Sequence, residues 1–530
     1  MKRGTFMSGF RPRTARTSGL ITAASLAVAA LSGTPAAAVS GPQASDAVST
    51  ATARLDIGGQ RGCSATLVAP QWLLTAASCF TDTPGGPLAP GAPKLKTTAT
   101  IGGTAQQVVN LAPRTDRDVV MAQLAKPVSG VTPIPVAATA PGAGDEVQAA
   151  GYGRTHDEWV PDQVHAAAFT TQNVGGTTID LAGKPDGAAI CKGDTGGPVL
   201  STAAGHATVV GVSSRSWQGG CLGTDPSETR TGAVAARVDD LADWVQQVAY
   251  STTFASAPWK DAVQMTAGYY TGGSAGGSRH MDLIVLWDDG EVTLYQGGDS
   301  NDPVHPFAAE YQLAPRKSIW AHAVSITGVN ATGGGTDGLV VRWSDGEMTQ
   351  YTTVDAKGFH GEKQLAPRNT PAWQNDARLL AAGRFTPNGH RDDLLAVWKD
   401  GHVSVFSDLA ANGLSKQTQI VAKNTTTWPY AENLTTGSFT GNSTDDLLVR
   451  WVDGETTIYP GLTGKTLPGE IRIRVRNSEW KDAAVVAAGA FTANTAAKDV
   501  IVRWNDGHVS LFTGVDTKGL HDEVQLAPAN

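Results

Sequence analysis

Charged residues are scarce in this chain: Asp, Glu, Lys and Arg make up 17% of 530 residues, whereas glycine alone contributes 61. Little charge and many turn formers argue for β-rich globular domains and against a chain kept open by its own charge. Long apolar runs are missing as well. Residues 20–31 are the one sustained apolar stretch, too short to span a bilayer, and nothing later replaces it. A basic surplus is also absent. The formal net charge is −8, which speaks against nucleic acid as a partner. Cysteine is limited to positions 63, 79, 191 and 221, enough for two bridges. The length exceeds what one hydrophobic core holds, so two or more domains are expected.

What is present begins with an export signature over residues 1–38. Lys2, Arg3, Arg11, Arg13 and Arg16 form a basic region without an acid, residues 20–31 follow as the apolar segment, and Ala36-Ala37-Ala38 is a small-residue cleavage site. No two arginines are adjacent, which favours the general secretory route. Cleavage after Ala38 takes the net charge from −8 to −13, five cationic residues fewer. The mature chain is expected outside the cell, where disulfides persist.

Residues 39–250 read as short apolar strands punctuated by glycine, proline and asparagine. They close with one helix, Val238 to Val248, whose apolar side chains recur at helical spacing. Three segments carry a resemblance to the chymotrypsin/trypsin-like serine peptidases. Gly62-Cys63-Ser64-Ala65-Thr66-Leu67-Val68 is followed by Trp72-Leu73-Leu74-Thr75-Ala76-Ala77-Ser78-Cys79, similar to the family's strand and Thr-Ala-Ala-His-Cys turn. Asp118 with Val119 to Leu124 is similar to the segment bearing the triad acid. Cys191-Lys192-Gly193-Asp194-Thr195-Gly196-Gly197-Pro198 resembles the nucleophile loop Gly-Asp-Ser-Gly-Gly-Pro, and Trp244 fits the terminal helix. The resemblance implies a double β-barrel with a C-terminal helix, and disulfides Cys63–Cys79 and Cys191–Cys221.

The triad that the family needs is degenerate here. Ser78 stands where the family has histidine, and a hydroxyl does not titrate near neutrality, so it serves neither as general base nor as acid. Thr195 stands at the nucleophile, with an extra methyl that restricts its rotamer. Asp118 remains, without an imidazole to orient. Gly193 and Thr195 still supply the backbone N–H groups of an oxyanion hole, able to hold a carbonyl or carboxylate. A replacement base has two candidates: His156, on a loop after Gly153, and Lys192 at the cleft rim. Their plainer readings are a solvated loop residue and a rim charge.

The specificity pocket is expected to be formed by Ala189, Ser214 and Arg215, with Asp186 displaced upstream of the family's acid. A small apolar or acidic group suits it better than a basic side chain. A terminus at Val39 is similar to the family's Ile-Val-Gly-Gly start, so Val39 is expected to pair through its ammonium with Asp194; residues 39–52 as a mere flexible lead is the alternative.

After a linker at 251–256, the chain repeats itself. Trp-x-Asp-Gly recurs at Trp287, Trp343, Trp398, Trp451 and Trp504, 53 to 56 residues apart, with a second tryptophan at 259, 320, 373, 428 and 480. Leu447-Leu448-Val449-Arg450-Trp451 reads as a strand, Asp453-Gly454 as a hairpin turn, and Thr456 to Tyr459 as the return strand. About 55 residues accommodate four short strands, one propeller blade, so residues 257–530 predict a five-bladed β-propeller with units near 257–316, 317–367, 368–424, 425–476 and 477–530. The fold class is all-β throughout.

The repeats resemble FG-GAP/VCBS-like propeller repeats and some sugar-binding lectin propellers, in a combination of the secreted bacterial type. The first resemblance implies calcium in Asp-rich loops. Here that loop, 439–446, is poor in ligands, leaving Asn442 and Asp446 as calcium candidates and no other cofactor expected. The second implies tryptophan faces open to sugar rings; the alternative is that each tryptophan packs blade against blade. Two functions follow. One is a secreted serine peptidase homologue, inactive, that binds a polypeptide or a cell-wall or glycan ligand, with the propeller for adhesion. The other is an active serine-type endopeptidase using Thr195 with a non-standard base.

Overall fold

The computed structural model describes residues 44–529, apart from 84, 185–187, 203–204, 275–276, 332 and 493–495. The export segment, Val39 and Asp186 lie outside the described residues.

A short helix α1 (Asp46–Ala51) leads into six strands: β1 (Thr52–Ile57), β2 (Arg61–Ala69), β3 (Trp72–Thr75), β4 (Thr97–Ile101), β5 (Thr104–Pro113) and β6 (Val120–Leu124). They close a barrel in the order β1-β2-β3-β6-β5-β4. Six more close a second barrel, β10-β11-β12-β9-β8-β7: β7 (Glu146–Gly151), β8 (His165–Val174), β9 (Thr178–Lys184), β10 (Pro198–Ser201), β11 (Thr208–Ser216) and β12 (Ala233–Arg237). Alternation drives the closure. In β1, Ala53, Leu55 and Ile57 point inward and are buried, whereas Asp56 is exposed. The second core gathers Val147, Phe169, Ile179, Leu181, Val199 and Val210. Cys63–Cys79 and Cys191–Cys221 are both bonded, across 16 and 30 residues. Loop closure of that size stabilises by roughly 3–4 kcal/mol each.

The closing helix starts and ends later than its periodicity suggests. A 3-10 turn occupies Asp239–Leu241 and the helix α2 runs Ala242–Ala255, so the expected linker at 251–256 is mostly its last turns. Val238, Leu241, Trp244, Val245 and Val248 bury against the first barrel. Another face of the helix belongs to the propeller. Gln247, fully buried, donates to His305 O at 2.8 Å and accepts from Ser300 N at 3.2 Å. Phe254 stacks on Phe307 at 5.0 Å and lies tilted against the Trp259 ring at 4.6 Å. The helix was read from its barrel-facing side chains alone, which is why its second interface was missed.

The propeller has five four-stranded antiparallel blades, at 262–314, 323–366, 377–421, 431–474 and 483–527. Each takes all its strands from one repeat. Threonine hydroxyls on inner strands accept from the next blade's backbone: Thr266 from Gly328 N, Thr327 from Ala382 N and Thr435 from Ala488 N, at 2.8–3.0 Å. The ring closes where Met281 N donates to Ala490 O at 2.9 Å, within a core shared by the first and last blades.

All ten repeat tryptophans are buried, at most 9% exposed, and pair within their blades at ring separations of 5.0–5.9 Å. Blade packing accounts for them, and none of the ten offers an open face to a sugar. The acids at the start of the second strands are architectural too. Asp282, Asp393, Asp446 and Asp499 each accept backbone N–H groups; for Asp499 these come from Phe491, Thr492 and Gly514 at 2.9–3.0 Å. In the second blade Gly338 takes this place.

Candidate functional site

Two paired strands bring the first residues together. β3 pairs with β6 so that Thr75 lies opposite Val120. The chain leaving β3 turns through a 3-10 helix, Ala77–Cys79, held by the Cys63–Cys79 bridge, and this turn carries Ser78. The chain entering β6 carries Asp118. The two therefore meet at one end of the strand pair. Ser78 N donates to Asp118 Oδ1 at 2.7 Å and Ser78 Oγ to Asp118 Oδ2 at 2.9 Å.

A third donor completes the carboxylate. Ser214 Oγ donates to Asp118 Oδ2 at 2.6 Å. The pairing of β11 with β12 slips between Ser213 and Arg215, leaving Ser214 as the bulged residue. A bulge re-aims the side chain it carries. Ser214 was expected in the specificity pocket; the structure turns it to Asp118 instead. The serine was visible in the sequence, but the bulge that decides its direction was not.

Thr195 comes from the loop before β10. Asp194 N donates to Cys191 O at 3.0 Å, Gly197 N to Asp194 O at 2.8 Å, and Gly196 N to Ser213 O at 2.7 Å, which sets Thr195 beside the Ser213–Ser214 segment. Thr195 O accepts from Ser64 N at 2.9 Å and lies 3.7 Å from Cys79 Sγ, so this loop abuts the Ser78 turn. Gly193 and Gly196 adopt φ of +104° and +88°. Gly193 also leaves no room for a side chain: a Cβ there would stand 2.8 Å from Gly153 Cα. Thr195 Oγ1 hydrogen-bonds to nothing among the described residues.

Asp194 is 1% exposed and accepts from Gly153 N at 2.7 Å and Cys191 N at 2.9 Å. Burial pushes its carboxyl up to about 7, against the pull of those two backbone donors. The expected partner, Val39, lies outside the described residues.

Neither candidate replacement base is built into the site. His156 is 57% exposed, with Nδ1 2.8 Å from Asp157 Oδ1, and Lys192 is exposed. Ala189 is buried against the Cys191–Cys221 bridge, and Arg215 is exposed at the bulge. Sequence reasoning passed over Trp217, 55% exposed, with the Arg230 guanidinium 3.5 Å from its ring centroid. With Asp180, Leu181, Arg215, Ser216, Ala233 and Val234 it lines a cavity of about 380 Å³.

Asp446, a calcium candidate, is fully buried, and its oxygens accept from Thr440 N, Thr440 Oγ1 and Gly461 N. Asn442 donates its amide to Thr440 Oγ1. Among the described residues no group of three His, Cys, Asp or Glu is placed to hold a metal ion.

Residues 38–245 match the family model described as Trypsin. The first domain is trypsin-like. It is similar to the platelet-aggregating proteinase PA-BJ of Bothrops jararaca, 26% identical over 220 residues, a match covering 37% of this chain and 87% of that one. Among solved structures it matches neuropsin, a serine protease expressed in the limbic system of mouse brain, at 18% identity and a TM-score of 0.31, covering 39% of this chain and 98% of that one. The protein thus joins a trypsin-like serine protease domain to a five-bladed β-propeller.

Proposed function

We propose that this protein is a secreted, catalytically silent serine peptidase homologue whose cleft binds a polypeptide, with the propeller as an adhesion module for a surface or glycan ligand. The observation that carries the reading is Ser78 on Asp118. In acyl transfer an imidazole must take the nucleophile's proton and return it to the leaving group, with the carboxylate holding the ring. Here the carboxylate holds two serine hydroxyls and a backbone N–H instead. Loss of the base in a triad costs on the order of 10⁶ in rate, leaving roughly 10³–10⁴ over water from binding and the oxyanion hole. The solvent exposure of His156 and Lys192 further supports silence, since a lysine base needs burial to lose its proton near neutrality.

Binding is supported by what stays in place: both disulfides, the Gly193 and Gly196 conformations, and the backbone N–H groups of Gly193 and Thr195. Secretion rests on the N-terminal sequence pattern and on the two bridges. Among the described residues no helix is long and apolar enough to cross a membrane. For the propeller the buried tryptophans move the ligand question to other surfaces. Its test is a glycan array and a cell-wall pull-down with the whole chain, where no retention on either removes the adhesion role.

The test of silence is turnover of casein and of small acyl esters by the purified protein beside Thr195→Ala. Equal, background rates are expected. Turnover that disappears with Thr195→Ala would establish the alternative, a serine-type endopeptidase with an unconventional base.

A further inference from the structure

The two amides at the centre of the cleft are aimed and unused. Gly193 N and Thr195 N donate to no acceptor among the described residues. Their directions are nonetheless fixed, because each peptide unit is pinned by its carbonyl. Lys192 O accepts from Arg154 N at 2.9 Å, and Asp194 O accepts from Gly197 N at 2.8 Å. In a trans peptide the N–H points opposite to its C=O, so both donors are held away from those anchors. Ser64 adds two further ties, donating from Oγ to Gly193 O and from N to Thr195 O, both at 2.9 Å.

The exposed charge next to these amides in the chain is cationic. Lys192 precedes Gly193 and Arg215 follows Ser214, both exposed and neither ion-paired among the described residues. Two acids nearby are committed to the protein, Asp118 to three donors and buried Asp194 to two backbone N–H groups, and a third, Asp180 on the cavity wall, accepts from Asn173 Nδ2 at 3.4 Å. A neutral carbonyl needs two N–H donors and no cation. Two donors flanked by two unpaired cations suit a full negative charge. Arg215 also lines the cavity of about 380 Å³, whose wall is mostly apolar, from Leu181, Trp217, Ala233 and Val234, with Asp180 as its one acid.

We infer that the cleft captures the C-terminal carboxylate of a polypeptide, seated on Gly193 N and Thr195 N between Lys192 and Arg215, with an apolar residue near the terminus in the Trp217 cavity. This rests on the binding reading above and narrows it to chain ends. Without a base to activate Thr195, a terminus held there is retained, not processed.

The experiment uses the full chain and two N-terminally fluorescein-labelled pools of randomised hexapeptides, one as free acids and one as C-terminal amides, read by fluorescence anisotropy. The free-acid pool is expected to bind about tenfold more tightly, as a charge-assisted pair of hydrogen bonds implies. The advantage disappears in the Lys192→Gln, Arg215→Gln variant, whose thermal unfolding reports its integrity. In the ¹⁵N-labelled protein, the Gly193 and Thr195 amide signals move with the free-acid pool alone. Equal binding of both pools overturns the carboxylate inference and leaves polypeptide binding standing. No binding of either pool overturns both. A free-acid advantage that survives the double substitution, with the two amide signals unmoved, places the carboxylate elsewhere and also overturns the inference.

Discussion

Asp118 in the trypsin-like domain accepts from three protein donors and Asp499 in the propeller from four, yet they stand in opposite situations. Asp499 is 4% exposed and its donors, three backbone amides and the Thr492 hydroxyl, all come from its own blade, so the carboxylate is part of the architecture. Asp118 is half-buried at an open cleft, and two of its three donors are serine hydroxyls, which can turn to water. Carboxylates that accept backbone amides and a threonine hydroxyl recur in four of the five blades. Repetition of a buried acid marks construction. Asp118 is set apart by its exposure: it stands at the cleft, where water can replace its serine donors.

That contrast can be sharpened by substitution. Asp499→Ala strands the buried Phe491 amide and the part-buried amides of Thr492 and Gly514 and is expected to cost about 3 kcal/mol, read as a large fall in the propeller's melting temperature. A loss below about 1 kcal/mol would mean that water reaches those amides. Asp194 is expected to act through pH. Burial pushes its carboxyl up to about 7, so between about pH 4 and 7 the folded chain holds a proton that the unfolded chain has released. Stability therefore falls as pH rises through that window, by on the order of 4 kcal/mol, and buried Asp282, pushed up to about 6, acts in the same direction. Asp194→Asn should flatten its share of the profile. An ammonium from Val39 on Asp194 reverses the sign: the carboxyl would drop below its ordinary value, and the stability would be lost as pH falls instead.

Phe254→Ala, at the end of α2, empties the aromatic cluster beneath the first blade and is expected to cost about 3 kcal/mol. Calorimetry should then resolve two transitions where the intact helix joins barrel and blade in one; a single undisturbed transition would show that Phe254 does not couple them. Asp118→Ala should cost only about 1–2 kcal/mol, since Ser78 and Ser214 can rebind to water. A loss as large as that of Asp499→Ala would make Asp118 architectural and erase the contrast.

Much of this was legible before any coordinates. The barrels, both bridges and the five blades followed from motif order, cysteine positions and the tryptophan repeat, because each depends on local pattern. Helix α2 was read too short because Gln247 and Phe254 serve a face that its barrel-side periodicity does not describe. Ser214 was misdirected because a bulge in β11, a property of strand pairing, decides where its hydroxyl points. Trp217 was overlooked because its exposure follows from how the strands pack, not from its neighbours in the chain. For Asp446, a calcium candidate with Asn442, the sequence does not place its partners Thr440 and Gly461, because they reach it across a loop and a strand end.

On the proposed reading the cleft keeps its frame and lacks only its proton-handling groups. The most direct measurement is casein hydrolysis by the Ser78→His, Thr195→Ser double variant beside the parent. The account predicts proteolysis at least about 10³-fold above the parent, with the restored imidazole on Asp118 and the oxyanion donors already in position. A folded double variant with rates no higher than the parent's would contradict it.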